Sequence, residues 1–293
     1  MNKLTSLTKR NIKLFFASKS NIFFSMLALI ILVLLHFIVF RKMNADSFIS
    51  AGLPIDEKWA FWFSDSLMLS SLIPISAITI SLTSLCQIVT DKEKNIINDF
   101  YVAPVSRTTM LISYLLSSFI IGAIMLLGLV AFIQIYLMVM YGISFTGVQL
   151  LSILGVTVLS LLLGNSFVML IVSFVKREQA MGAIGTILGT MLGFFCGAYV
   201  PIGVLGEGIT KLFTALPFLP ITSLARQAFF MNITKTGLTK EMIGGPLAKM
   251  YGYELYFNDE KLSTLTLILI VLAFIILFSL LLILIFKKMR KKD

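Results

Sequence analysis

The sequence predicts an all-α membrane protein with six transmembrane helices, and three observations carry that prediction. Of 293 residues, 58% are apolar, 12% aromatic and only 13% charged, with a mean hydropathy of +0.98. A soluble domain carries about a quarter charged residues, so this chain lacks the polar groups to cover a water-facing surface. Apolar runs long enough to cross a hydrocarbon core of about 30 Å fall at about 21–40, 65–90, 108–140, 148–175, 181–204 and 262–286. The 24 Lys and Arg and the 14 Asp and Glu are shared unevenly between the connections. A water-soluble enzyme is excluded.

Residues 1–20 read as an amphipathic helix. At 100° per residue, Leu4, Leu7, Ile12, Leu14, Phe15 and Phe16 fall on one half, and Lys3, Lys9, Arg10 and Lys13 on the other. Such a helix lies in the interface, with its apolar face below the headgroups and its cations against anionic lipid; a basic leader that only sets topology is the alternative. Residues 21–293 then form the membrane domain. The first apolar run is too long for a signal peptide and is followed by no small-residue cleavage site, so it is retained as a span. Trp59 and Trp62, ahead of span two, suit an outer aromatic belt.

Thr108 to Val175 is uncharged over 68 residues. That is too long for one span, and Tyr141-Gly-Ile-Ser-Phe-Thr-Gly147 supplies the turn between spans three and four. Span five carries Gly185, Gly189, Gly193 and Gly197 at four-residue spacing, which places small residues on one face for close helix packing; a sliding face is the functional alternative. The outer segment 205–261 begins apolar but is broken by Gly206, Gly208, Pro217 and Pro220, with Pro201 just ahead, and it also holds Glu207, Lys211 and Arg226. Broken helix at membrane depth is tolerated only where protein or a water cavity covers it, so this part reads as a re-entrant hairpin. Its second half, from Asn232 on, reads as polar and partly helical around Leu247–Tyr253, with a weak glycosylation sequon at Asn232–Thr234.

With six spans both termini share a side. That side holds 15 Lys and Arg against five Asp and Glu, a net of +10, while the other holds nine of each. The whole excess on one face assigns it to the cytoplasm of a plasma membrane. Seven spans would put the basic tail outside.

Catalytic and ion-coupled chemistry is hard to place here. Ionisable residues inside a membrane mark ion paths or catalysis, and the spans contain essentially none: Asp65 falls at the edge of span two, and His36 near the outer end of span one reads as packing. Gln87, Gln134 and Asn165 are read as interhelical hydrogen-bond partners. No nucleophile elbow or paired carboxylates appear. Cys86 and Cys196 sit apart inside apolar runs, so neither a disulfide framework nor a metal site is expected. The phosphate loop of a nucleotide-binding subunit is missing from the chain, and energy for transport would have to come from a separate one. A docking element for such a subunit is offered by residues 91–107, where mixed charge (Asp91, Glu93, Asp99) runs into Phe100 and Tyr101 and stops at Pro104 before Arg107.

At these residues the sequence resembles the permease of an ABC-2 type ABC transporter. The likeness rests on Asp91-Lys-Glu-Lys followed by Val102-Ala-Pro-Val-Ser-Arg107, and on the proline-marked stretch from Pro201 through Leu216-Pro-Phe-Leu-Pro220 to Arg226. Asn95 stands where the family commonly has Gly. The resemblance implies a type V exporter-like fold, two permeases paired (a second copy or a related chain), and each docked on a cytoplasmic ATPase through residues 91–107. Asp91, Glu93 and Asp99 would be the polar contacts, with Phe100, Tyr101 and Pro104 packing beneath them. Cargo of drug, peptide or lipid-like character would pass along spans two and five. ATP and Mg would belong to the partner, with no cofactor or metal in this chain and no nucleic acid among its partners. A membrane anchor or sensor without transport, and a stand-alone channel or scramblase, are the alternatives.

Overall fold

The computed structural model describes residues 3–50, 56–97, 105–231, 246–258 and 260–290. Helix α1 (Lys3–Ala17) ends at Ser18, whose side chain caps α2 (Lys19–Leu35) by accepting from the Asn21 N–H. A π turn at His36–Phe40 joins α2 to α3 (Arg41–Ser50). Four long elements follow: α4 (Glu57–Glu93), α5 (Arg107–Tyr141), α6 (Gly147–Phe174) and the shorter α7 (Glu178–Phe195). Then come α8 (Glu207–Ala215), α9 (Phe218–Phe229), α10 (Pro246–Met250), a two-stranded hairpin of β1 (Tyr256–Phe257) and β2 (Glu260–Lys261), and α11 (Thr264–Arg290).

Five of these, counting α2 and α3 as one, are long and apolar enough to cross a membrane. Helix α7 is the sixth crossing on geometry. Its first N–H donates to Glu93 Oε2 at 2.7 Å, at the C-terminal end of α4, while its last carbonyls meet the same arginine as Ser71, some 22 residues back along α4. Eighteen residues rise ~27 Å, nearly the full hydrocarbon thickness. Helices α8 and α9 are bent by 83° at their break. Helix α8 starts at an exposed Glu207, and α9 ends beside Gln149 and Thr264, at the outer starts of α6 and α11. The pair therefore dips in and returns, as the expected re-entrant hairpin. Helix α1 touches Asp91 near the end of α4, and α11 runs from the hairpin side towards that same end.

Helix α4 is the centre of the bundle, with 78% of its apolar window buried against 11% for α11. Burial rises as hydropathy falls across all five long helices. A helix facing protein has no need of a fully apolar surface, whereas one facing lipid does. Accordingly α4 is rich in serines whose hydroxyls return to its own carbonyls, as Ser70 and Ser71 do to Leu67 O at 2.8 and 3.0 Å. Other hydroxyl contacts cross to neighbours: Thr79 donates to Ser25 O at 3.1 Å, and Ser84 lies 2.6 Å from Ser118. Trp62 is buried against Phe230 and Trp59 packs partly buried beside it, so these rings face the hairpin rather than forming an outer belt.

The predicted turn between spans three and four is present. Gly142 at φ +73° ends α5, and Thr146 and Gln149 form a capping box that starts α6. Helix α7 stops at Cys196 rather than near 204, because Gly197 turns left-handed at φ +59°. The β1–β2 hairpin was not anticipated.

Helices α4 and α6 approach closely at Gly164, where an added Cβ would lie 3.0 Å from the Ala77 carbonyl oxygen. Gly164→Ala should cost about 1–3 kcal/mol by overpacking and lower the thermal midpoint in detergent. Gly155→Ala, with nothing within 4 Å of the new methyl, should leave the midpoint within about a degree of wild type.

Candidate functional site

Asp91 has its carboxylate fully buried two residues short of the end of α4. Arg10 of α1 grips it with both terminal nitrogens, Nη1 to Oδ2 at 2.8 Å and Nη2 to Oδ1 at 3.0 Å. Gln87 Nε2 donates to Oδ1 at 2.8 Å, and the Tyr114 hydroxyl of α5 donates to Oδ2. A bidentate charge-assisted pair with its remaining lone pairs occupied is the form in which a buried carboxylate is stable. The bond to Asp91 also raises the Arg10 guanidinium above its usual value. Helix α1 thus packs its Phe15 stripe against α5 and turns one of its cations inward, instead of laying a whole apolar face on lipid.

A second acid sits towards the other end of α4. Asp65 is fully buried, with Arg41 Nε at 3.0 Å, His36 Nε2 at 2.8 Å and the Tyr136 hydroxyl at 2.6 Å. Tyr141 also donates to it and accepts from Arg41 Nη2 at 3.0 Å. The spans are therefore not free of ionisable groups. Because α4 begins at Glu57, Asp65 lies two turns inside it rather than at its edge, and His36 is its partner rather than a packing residue.

Between α2, α4 and α7 runs an open groove of about 610 Å³. Its walls are Phe24, Ala28 and Ile31 on α2, Leu82 and Cys86 on α4, and the Gly182–Thr190 face of α7. The four spaced glycines divide into two pairs with different work. Gly185 and Gly189 line the groove, where added Cβ atoms would meet only Leu82 at 3.0 Å and Ala28 at 3.8 Å. At Gly193 a Cβ would collide with the Tyr199 ring, and Gly197 makes the left-handed turn. One common sliding face is therefore not what the spacing encodes. Apart from Met181, Leu192 and Gly193, α7 is at least partly exposed along its length.

A family model described as ABC-2 type transporter matches residues 2–230, which takes in both clamps, the groove and the hairpin. The chain belongs to the ABC-2 type transporter family. It is a multi-pass membrane protein and the non-catalytic permease component of an ABC transporter. No curated protein matches it.

In this ABC-2 permease the predicted docking residues separate. Asp91 faces inward, bound by donors of its own chain, and is a positioning residue at the base of the segment instead of an exposed polar contact. Glu93 is exposed and caps α7. Asn95, where the family commonly has Gly, adopts φ +58°; Asn is among the few residues with a side chain that visit this region readily, so the backbone turn is kept. Arg107 is exposed in the first turn of α5, which Ser106 caps. Asp99, Phe100, Tyr101 and Pro104 lie outside the described residues, as does the Asn232–Thr234 sequon. In the hairpin, Pro201 precedes a single turn at Ile202–Val204, Glu207 pairs with Lys211 at 2.8 Å, and Pro217 and Pro220 occupy the buried start of α9, where proline costs no helix hydrogen bond.

Sequence reasoning passed over His36, Arg41, Tyr114, Tyr136 and Tyr141 as site residues. An acid inside a span together with a cation at the end of the preceding one is a signal that would have found the outer cluster. Asp65→Ala should leave Arg41 without its counter-ion and cost about 3 kcal/mol, read as loss of monodisperse protein on size exclusion. The double variant Asp65→Ala with Arg41→Ala should recover part of that loss.

Proposed function

We propose that this permease subunit exports hydrophobic or amphipathic cargo (a drug, an antimicrobial peptide or a lipid-like molecule) along the groove between α2, α4 and α7. The observation that carries the reading is the groove itself: largely apolar walls and glycines along an open cleft between three helices. A mostly apolar lining, with Glu178 at the start of α7 as its one charged member, suits a cargo that partitions into the bilayer, and a path bounded by an exposed α7 is completed by a second permease, either another copy or a related chain. The drive is a separate cytoplasmic ATPase holding ATP and Mg, docked at residues 91–107, so that nucleotide-bound and nucleotide-free partners favour different pairings of the membrane subunits. Both termini face the cytoplasm of the plasma membrane, on the side carrying the basic excess. Asp99 and the aromatic pair after it supply the docking contacts, and the Arg10–Asp91 clamp fixes the helix from which they emerge.

Two substitutions separate cargo path from docking. Gly189→Leu should fill the groove, with export of amphipathic dyes falling at least tenfold while the ATPase still co-purifies. Asp99→Lys should release the ATPase instead. Undiminished dye export by Gly189→Leu would sink the groove assignment. An ATPase that stays bound and active in both variants, with no dye moved by wild type, would turn the reading to an anchor or sensor.

A further inference from the structure

A shallow cleft of about 460 Å³ follows the exposed side of α1, lined among the described residues by Ser6, Lys9, Arg10, Lys13, Leu14 and Ala17. Positions 6, 10, 13 and 17 recur at helical spacing, so these side chains form one stripe. The stripe changes character along its length. A hydroxyl and three cations come first; then Leu14, 39% exposed, and Ala17 lead to the Ser18 break, beyond which α2 enters the membrane. The opposite stripe, Thr8, Asn11 and Phe15, is buried, and α1 packs on α5.

We propose that this cleft is a binding site for the headgroup of an anionic glycerophospholipid. Its phosphate would lie among Lys9, Arg10 and Lys13, with the glycerol and first methylenes against Leu14 and Ala17. A free phosphate satisfies the cations but leaves the apolar end uncovered. A neutral lipid covers the apolar end but leaves Lys9 and Lys13 without an anion, Arg10 already holding Asp91. The site is tied to α4, because Arg10 also grips Asp91. A lipid phosphate draws Lys9 and Lys13 to the same point, holds α1 in place and stiffens the clamp at the base of residues 91–107. Stability of the chain thereby depends on anionic lipid, whatever its cargo.

The test titrates the full-length protein in neutral detergent with dioctanoyl phosphatidylglycerol, dioctanoyl phosphatidylcholine or sodium phosphate, reading thermal midpoint and lipid adducts by native mass spectrometry. Phosphatidylglycerol should raise the midpoint of wild type, with an effect that shrinks as salt rises. In Lys9→Gln with Lys13→Gln its affinity should fall roughly fivefold for each lysine removed, while phosphatidylcholine acts equally on both proteins. The arginine pair, Lys9→Arg with Lys13→Arg, should keep binding and shows whether the glutamine variant has merely misfolded. Equal phosphatidylglycerol affinity in wild type and the glutamine variant would overturn the proposal. So would a full midpoint shift with sodium phosphate alone, which would mark a free-anion site. Unchanged lipid affinity with loss of the co-purifying ATPase would make the stripe a protein interface instead.

Discussion

The buried guanidinium of Arg226 is the constraint from which the outer half of the molecule follows. Helix α7 ends beneath the hairpin, where its last carbonyls have no water to accept from, and an unsatisfied carbonyl at membrane depth is costly. Arg226 Nη2 reaches Gly197 O at 2.8 Å and Cys196 O at 3.2 Å, while Nη1 donates to Tyr251 O at 2.5 Å. Ser71 of α4 accepts from Nη2 at 3.0 Å. One side chain of α9 therefore closes the end of α7, pins the segment after α10 and anchors all of it to the central helix. A cation among helix-terminal carbonyls is in a favourable field, which is how a guanidinium can be buried here with backbone acceptors rather than a carboxylate beside it. The fixed fork is what joins three elements at once; a lysine presents no such plane.

The N-terminal half of the chain rests on a repeated device. Asp65 and Asp91 lie on the same helix, and each takes an arginine from the N-terminal segment and at least one tyrosine from α5. Arg41 with Tyr136 and Tyr141 serves the first acid, and Arg10 with Tyr114 serves the second. Spans two and three are thus pinned together at both ends by charge-assisted bonds, with span one joined at the Asp65 end and α1 at the Asp91 end. Between the clamps the contacts are serine hydroxyls and aliphatic side chains, which are permissive about sliding. The clamps remove that freedom.

Much of this architecture was legible in the residues. Twenty-residue apolar runs locate the spans, and Gly and Pro locate the hairpin, because each signal is local and each cause acts over one or two turns. Even the central place of α4 is written in its composition, since only a helix sheltered from lipid carries so many serines. What stayed hidden depends on partners distant in sequence. The inward turn of Asp91 is decided by Arg10, 81 residues away, and Asp91-Lys-Glu-Lys looks the same whether its first acid faces solvent or protein. Glycine spacing misled for a related reason. Four residues with one periodicity serve two ends, because the groove wall is built by α2 and α4 and the turn by Tyr199 and Arg226.

These clamps also decide which parts can move against which. The buried apolar residues fall into two clusters, one running through spans one to three, most of α6 and the two ends of α9, the other joining the middle of α9 to α11 and to Val156 and Leu163 of α6. Ionic clamps make the first a stiff block. Helix α7 joins the first through few side chains, Met181 and Leu192: it meets α4 through Gly185 beside Leu82 and through the cap from Glu93, and its other end is held by Arg226. A helix fixed at its two ends and lined by glycine between them can bow or shift sideways without breaking a hydrogen bond, and shear of this kind needs only small displacements of packed side chains. Its cap, Glu93, stands two residues beyond Asp91, at the start of the proposed docking segment. A displacement there reaches the groove wall through one carboxylate and one helix.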